Sequence, residues 1–363
     1  MLNFKYLCSK MSSKSFHYNY YVIVLLLCFA LIECTSENQF NPDKYYPLIN
    51  QAELAVTEEN YEQALNQYQE AFKYTVKPFG KDAYNAALTA AISGKTELRD
   101  TYLQLIINNC DDLIYLRSQF VDQYLKPGEW DKMILSRKMD YDPDLRDEMT
   151  EILEQDQLFR PDYDNYDDTI NQNRIINMDK ILNMTDKAGY PSHYEIGYQP
   201  RLKSQQHDIV LHHTAQRRSK DKTVTDLEPI LKKAVQQGRF DPEQAILYMW
   251  FQNDVEKGRF ETCNTWQYRH PALPDSLNSK IWIPKLTKED IEKANAIRSQ
   301  WHANTIEDIM TKTLFITQSI HPFKFSSVSN SIANFPKDIS LEEALLQYQA
   351  FTSMRQEFRT AGM

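Results

Sequence analysis

Two adjacent histidines, His212 and His213, follow the apolar run Ile209-Val210-Leu211 in the stretch DIVLHHTAQ. Imidazole is the side chain best suited to moving protons near neutral pH, so what matters is which groups stand beside these rings. Neighbouring residues diverge by about 100° on a helix and about 180° on a strand. The two rings therefore cannot share one metal ion from a regular backbone, and the sequence implies neither a metal site nor a cofactor. If the segment is helical, His212 continues the line of Ile209 and His213 that of Val210, which turns at least one ring inward.

Charged residues recur where apolar ones are expected. In the helix opening at Asp144, the stripe Leu145, Met149, Ile152 and Leu153 continues to Asp156 and Arg160, an acid and a base four residues apart. In the helix capped by Asp241-Pro242, the stripe Ile246, Met249 and Trp250 continues to Asn253 and Asp254. Two explanations stand. Buried polar groups persist when they are paired, so an ion pair, helix caps and a satisfied core histidine account for the pattern. The same residue types also make a general acid-base site, with His213 or His212 as base, Asp156 or Asp254 orienting it and Arg160 holding an anion. Asn253, with Tyr190, Trp266 and Tyr268, supplies a binding surface in that second account; the aromatic residues equally serve to pin loops to a core. The spacings of zinc proteases, phosphate loops, dinucleotide sites and Gly-x-Ser-x-Gly hydrolases are absent from the sequence.

The elements that must position these residues are helical. The 363-residue chain is 42% hydrophobic and 25% charged, as in ordinary globular proteins, and its 8 glycines leave few strand-turn signals. A mostly all-α fold with little or no β follows. Residues 44 to 135 read as a helical module. Leu48, Ala52 and Ala55 face Tyr61, Ala64, Leu65, Tyr68, Ala71 and Phe72 in a first hairpin. Tyr84, Ala87, Leu88 and Ala91 face Leu98, Tyr102, Leu105 and Ile106 in a second, with Gly94 at its turn. The Tyr61-Glu62-Gln63-Ala64 and Asp82-Ala83-Tyr84-Asn85-Ala86-Ala87 stretches resemble tetratricopeptide repeats, which implies helix pairs stacked to present a groove. Two repeats are fewer than the three or so that stand alone, so the module is expected to lean on the residues after it.

Residues 143 to 363 form a second helical domain. Gly189-Tyr190-Pro191 breaks it, and capping boxes are expected at Thr225–Glu228, Thr287–Asp290 and Ser340–Glu343. The last of these opens a helix carrying Leu341, Ala344, Leu345, Tyr348 and Phe358. Residues 261 to 286 read as loop, and 323 to 328 alternate like a short strand. The block from Asp156 to Trp301 resembles a domain family of unknown function found in bacterial envelope and lipoprotein chains. The matching elements are Asp156-Gln157-x-x-Arg160, Gly189-Tyr190-Pro191, Tyr194-x-x-Gly197, Ile209 to His213, the Leu227 to Gly238 helix, Asn253-Asp254, Gly258 before Gln267, Trp282-x-Pro284 and Arg298. Where that family carries Asp-Arg, this chain has Asn253-Asp254-Val255.

At the N-terminus Lys10 and Lys14 precede the uncharged run Tyr20–Ile32, shorter than the ~20 residues of a membrane span and right for a secretory signal. Leu31-Ile32-Glu33-Cys34 resembles a bacterial lipoprotein processing site, which implies a signal peptide over 1 to 33, lipidation and membrane anchoring at Cys34, and a tether over 34 to 43. Export to the bacterial cell envelope as a lipoprotein is the expectation; the alternative is a periplasmic or secreted soluble protein. A net charge of −9 argues against nucleic acid. Export, repeats and the lack of an established catalytic motif point to a scaffold or binding module for a protein or peptide partner. The alternative is a hydrolase-like enzyme using the His/Asp/Arg set.

Overall fold

In the computed structural model the chain divides into two compact units, Met1–Gln39 and Phe40–Met363. The structure describes residues 40–110, 112–200, 206–253, 267–269, 281–284, 286–325, 332–334, 342 and 348–351. The expectations for the signal segment, Cys34, Asp254 and Trp266 lie outside the described residues.

The fold is predominantly α-helical. Helices α1 (Pro42–Thr57) and α2 (Tyr61–Ala71) form one hairpin, and α3 (Gly80–Ile92) and α4 (Thr96–Asn109) a second. Asn60 begins α2 by accepting the Gln63 N–H. Gly94, at φ +69°, makes the reversal after α3, where Lys95 N–H donates back to Ala90 O at 2.8 Å. Alanines at 52, 55, 64, 83, 86, 87 and 90 are buried and let the helix backbones approach closely. Helices α5 (Leu113–Tyr124) and α6 (Glu129–Leu135) follow.

The second half begins at α7 (Pro143–Gln157), capped by Asp142 with Pro143 in the first turn. The long α8 (Tyr163–Ala188) stops at Gly189, the short α9 (His193–Ile196) starts in a Ser192–Glu195 capping box, and α10 (Ile209–Lys220) carries the histidine pair. Then come α11 (Glu228–Gln236), α12 (Pro242–Gln252), α13 (Lys288–Ser299) and α14 (Ile306–Gln318). Asp241 caps α12 by accepting from Glu243 and Gln244, and Thr287 with Asp290 forms the capping box of α13.

Three local expectations are corrected. Thr225 does not cap α11: the helix opens at Glu228, whose N–H goes to Asp226 Oδ1 at 3.0 Å, while Leu227 N–H is held by Gln252 Oε1 at 2.8 Å. Residues 323 to 325 are not a strand. Their ladder-like bonding is supplied by one side chain, since Asn85 Nδ2 donates to Lys324 O at 2.7 Å and Lys324 N–H donates to Asn85 Oδ1 at 2.8 Å. Tyr348 belongs to a strand and not to a helix. The strands are short: β1 (Gln267–Arg269) pairs parallel with β3 (Ile332–Asn334), and β2 (Ile281–Pro284) pairs antiparallel with β4 (Tyr348–Phe351). Pairing partners distant in the chain decide such segments, and a local pattern does not reveal them.

One hydrophobic cluster runs from Tyr45 through the hairpins to Phe325. The first helix of each hairpin turns a face to the second half of the chain. On α1, Tyr46 OH donates to Val235 O at 2.9 Å, Asn50 Nδ2 to Asp308 Oδ2 at 2.8 Å, and Glu53 meets Lys312 at 2.6 Å. On α3, Lys81 reaches Asp241 at 3.1 Å and Asn85 clasps Lys324. Asn109, at the end of α4, adds a seam: its Nδ2 donates to Asp140 O and Tyr194 O, and its backbone oxygen accepts from Tyr198 N–H.

Candidate acid-base site

Helices α7, α8 and α10 pack against one another. Their mutual placement is fixed by polar clasps from α8 onto carbonyls of the last turns of α7: Asn177 Nδ2 donates to Ile152 O at 3.1 Å and Asn173 Nδ2 to Gln155 O at 3.2 Å. The next residue on α7 is Asp156, whose side chain is wholly out of water.

Asp156 is the hub of the site. Its Oδ1 accepts from an Arg160 terminal nitrogen at 2.7 Å, and its Oδ2 accepts from Arg160 Nε at 3.0 Å, from Gln157 Nε2 at 2.7 Å and from His213 Nδ1 at 2.7 Å. Arg160 Nε also reaches Asp156 O at 2.8 Å. Helix α7 ends at Gln157, and Arg160 begins a 3-10 turn, Arg160–Asp162. The guanidinium thus folds back over the helix terminus, where cations are favoured. Burial alone would raise the Asp156 pKa, but the hydrogen bonds of His213 and Arg160 outweigh it and hold the carboxyl below its usual range.

A carboxylate only accepts, so the His213 proton facing it is on Nδ1. In the neutral ring that leaves Nε2 with a lone pair, the state required of a general base. His213 therefore has its tautomer and ring direction set by Asp156, which is itself held by Arg160.

His212 has different surroundings. Its ring lies 4.3 Å from the Phe251 ring and 6.1 Å from that of Tyr248, centroid to centroid. Burial, reinforced by the charges of His213 and Arg160, pushes its pKa down to about 4. It is a neutral packing partner of α12 at physiological pH. The structure joins Asp156, Arg160 and His213 by hydrogen bonds and seats His212 beside them among aromatic rings.

The other sequence-derived residues are placed as follows. Asn253 closes α12, with both its backbone N–H and its Nδ2 donating to Met249 O. Tyr190 is buried, donates from OH to Asp208 Oδ1 at 2.9 Å and packs edge-on against Phe240. Tyr268 lies in β1. Among the described residues, no group of three or more His, Cys, Asp or Glu side chains is arranged to hold a metal ion.

Sequence reasoning missed Arg174 and Arg217. Arg174 falls on the buried face of α8 with Ile170, Asn177, Met178 and Ile181, an apolar stripe interrupted by a cation just as α7 is interrupted by Asp156. The same stripe rule applied to α8 finds it. Arg217 lies one turn beyond His213 on α10 and stands 4.0 Å from Asp167 of α8.

No protein-family model matches this chain, and neither a curated protein nor a solved structure does. Chemically the arrangement offers an oriented imidazole, an ionised carboxylate behind it, and the Arg160 guanidinium at the end of α7.

Proposed function

We propose that the chain is a hydrolase-like enzyme in which His213 acts as general base, Asp156 orients it and Arg160 fixes Asp156. The observation that carries this reading is the 2.7 Å contact between His213 Nδ1 and Asp156 Oδ2, because it leaves Nε2 as the basic atom. In the reaction, His213 Nε2 takes a proton from a water as that water attacks an ester, and returns it to the leaving oxygen. Asp156 stays ionised and stabilises the imidazolium formed between the two steps.

The other reading, a lipid-anchored envelope scaffold that binds a protein or peptide, rests on the export signal and on the groove that repeats present. The faces of α1 and α3 that would line such a groove bond instead to Val235, Asp241, Asp308, Lys312 and Lys324 of the same chain. That observation favours the enzyme.

The test is turnover of p-nitrophenyl acetate, p-nitrophenyl phosphate and bis-p-nitrophenyl phosphate by the purified full chain, beside His213→Gln and Asp156→Asn, with folding followed by circular dichroism. The expected result is turnover of at least one ester by the wild type and a loss of about 10²- to 10⁴-fold in His213→Gln, the usual contribution of a positioned acid-base group. No turnover of any of the three, or undiminished turnover in His213→Gln, would overturn the proposal.

A further inference from the structure

Arg174 poses a problem that the acid-base reading does not solve. It is 6% exposed, and its Nε has no hydrogen-bond partner. The carboxylates near it are engaged elsewhere. Asp156 is taken by Arg160 and His213, Asp167 stands against Arg217, and Asp221 accepts the N–H and hydroxyl of Thr223 at 3.0 and 2.7 Å. A buried guanidinium N–H with no acceptor is costly, so its retention on the core face of α8 points to an anionic acceptor.

Geometry places that anion. Asn173 and Asn177, flanking Arg174 on α8, both clasp carbonyls in the last turns of α7 immediately before Asp156. Arg217 touches α8 at Asp167, two turns before Arg174 on the same helical face, and lies one turn from His213 on α10. Arg174 thus lies on the buried face of α8, the helix that packs against both α7 and α10. Burial and the charges of Arg217 and Arg160 lower its pKa, while Asp221 and Asp156 oppose them.

We infer that Arg174, with Arg217 beside it, binds the phosphate group of a phosphoester substrate against His213. Guanidinium forks match phosphate oxygens. Donors arriving from separate helices suit a tetrahedral oxyanion, whereas a planar carboxylate takes its donors in one plane. This inference rests on the acid-base reading for the chemical step, in which the water deprotonated by His213 Nε2 forms a bond to phosphorus, the phosphorus–oxygen bond to the leaving group breaks, and the proton passes from Nε2 to the leaving oxygen. Phosphate binding itself does not depend on that step.

The experiment is calorimetric titration of the full chain with inorganic phosphate, with acetate and chloride at matched ionic strength as controls, for wild type, Arg174→Gln, Arg174→Lys and Arg217→Gln. Saturable phosphate binding by the wild type is expected, weakened at least tenfold in Arg174→Gln and in Arg217→Gln, with Arg174→Lys between wild type and Arg174→Gln. Arg217 is partly exposed, so its variant remains informative if Arg174→Gln fails to fold. No saturable phosphate binding, equal binding of acetate, or undiminished binding in Arg217→Gln overturns the inference. Phosphate binding without turnover of any ester would leave the anion site standing and remove the hydrolase; acetate-ester turnover without phosphate binding would do the reverse.

Discussion

His212 and His213 hold their rings 5.7 Å apart at 72°, with one edge-on to Phe251 and the other bonded to Asp156. A single peptide bond separates an imidazole kept neutral by burial from one aligned by a carboxylate. The helical step of about 100° accomplishes this, since it sends His212 toward α12 and His213 toward α7.

A pH dependence follows for His212. Its folded pKa, about 4, lies below the ~6.5 of an unfolded histidine, so the unfolded chain takes up the proton first as pH falls. The contribution is fully present above pH ~6.5 and is lost as pH falls from there toward 4. It is of the order of 3 to 4 kcal/mol, at about 1.4 kcal/mol per pKa unit. Urea unfolding midpoints of wild type and His212→Gln, measured from pH 7.5 to 4.5, should show a steeper decline in the wild type. Parallel curves would disprove the assignment.

Asp156→Asn should destabilise the chain by about 3 kcal/mol, because it leaves Arg160 and His213 without their shared acceptor. Arg160→Gln should cost less, since that guanidinium retains some exposure to water and Asp156 keeps Gln157 and His213. Chemical denaturation of the two variants gives the order directly. Asp156 also adds acid sensitivity: its depressed carboxyl contributes stability above the ordinary carboxylate range that is lost as pH falls through it and below.

The contact between Lys312 and Glu53 is 0% and 1% exposed on its two sides. Burial raises the Glu53 pKa and Lys312 works against that rise. Lys312→Met alone should destabilise by about 3 to 5 kcal/mol, while the double variant with Glu53→Leu should regain most of the loss, the usual behaviour of a buried pair replaced by apolar groups. A double-mutant cycle on thermal melts checks this.

Gly80→Ala and Gly94→Ala should differ in kind. A Cβ at Gly80 would collide with Tyr198 Cγ, so Tyr198 and its seam with Asn109 must move. At Gly94 there is open space and only the positive φ opposes the change. A loss of about 1 kcal/mol is expected at Gly94 and a larger one at Gly80, read from melting curves.

What could be read from the sequence divides by range. Asp156 was visible because a periodic stripe on one helix exposes any polar intruder, and Asp241, Gly94 and Thr287 were visible because caps and turns are local chemistry. The sequence offers Asp156 with His213 only as one of several pairings of two histidines with two acids, since the choice depends on packing of α7 on α10 between positions 57 residues apart. The strands escaped for the same reason: Ile281–Pro284 and Tyr348–Phe351 are extended by each other. The sequence alternates like a strand from 323 to 328, whereas at Lys324 a lone amide from Asn85 satisfies the backbone.

The docking of α1 and α3 onto later helices sets an order of events during synthesis. The hairpins leave the ribosome first, yet Glu53 finds its ammonium 259 residues downstream and Asn85 its carbonyl 239 residues downstream. Until the last helices emerge, the early half carries an uncovered face and an unmatched charge. The nascent chain therefore completes this core only after Lys312 and Lys324 have emerged, which makes its decisive contacts slow, long-range ones.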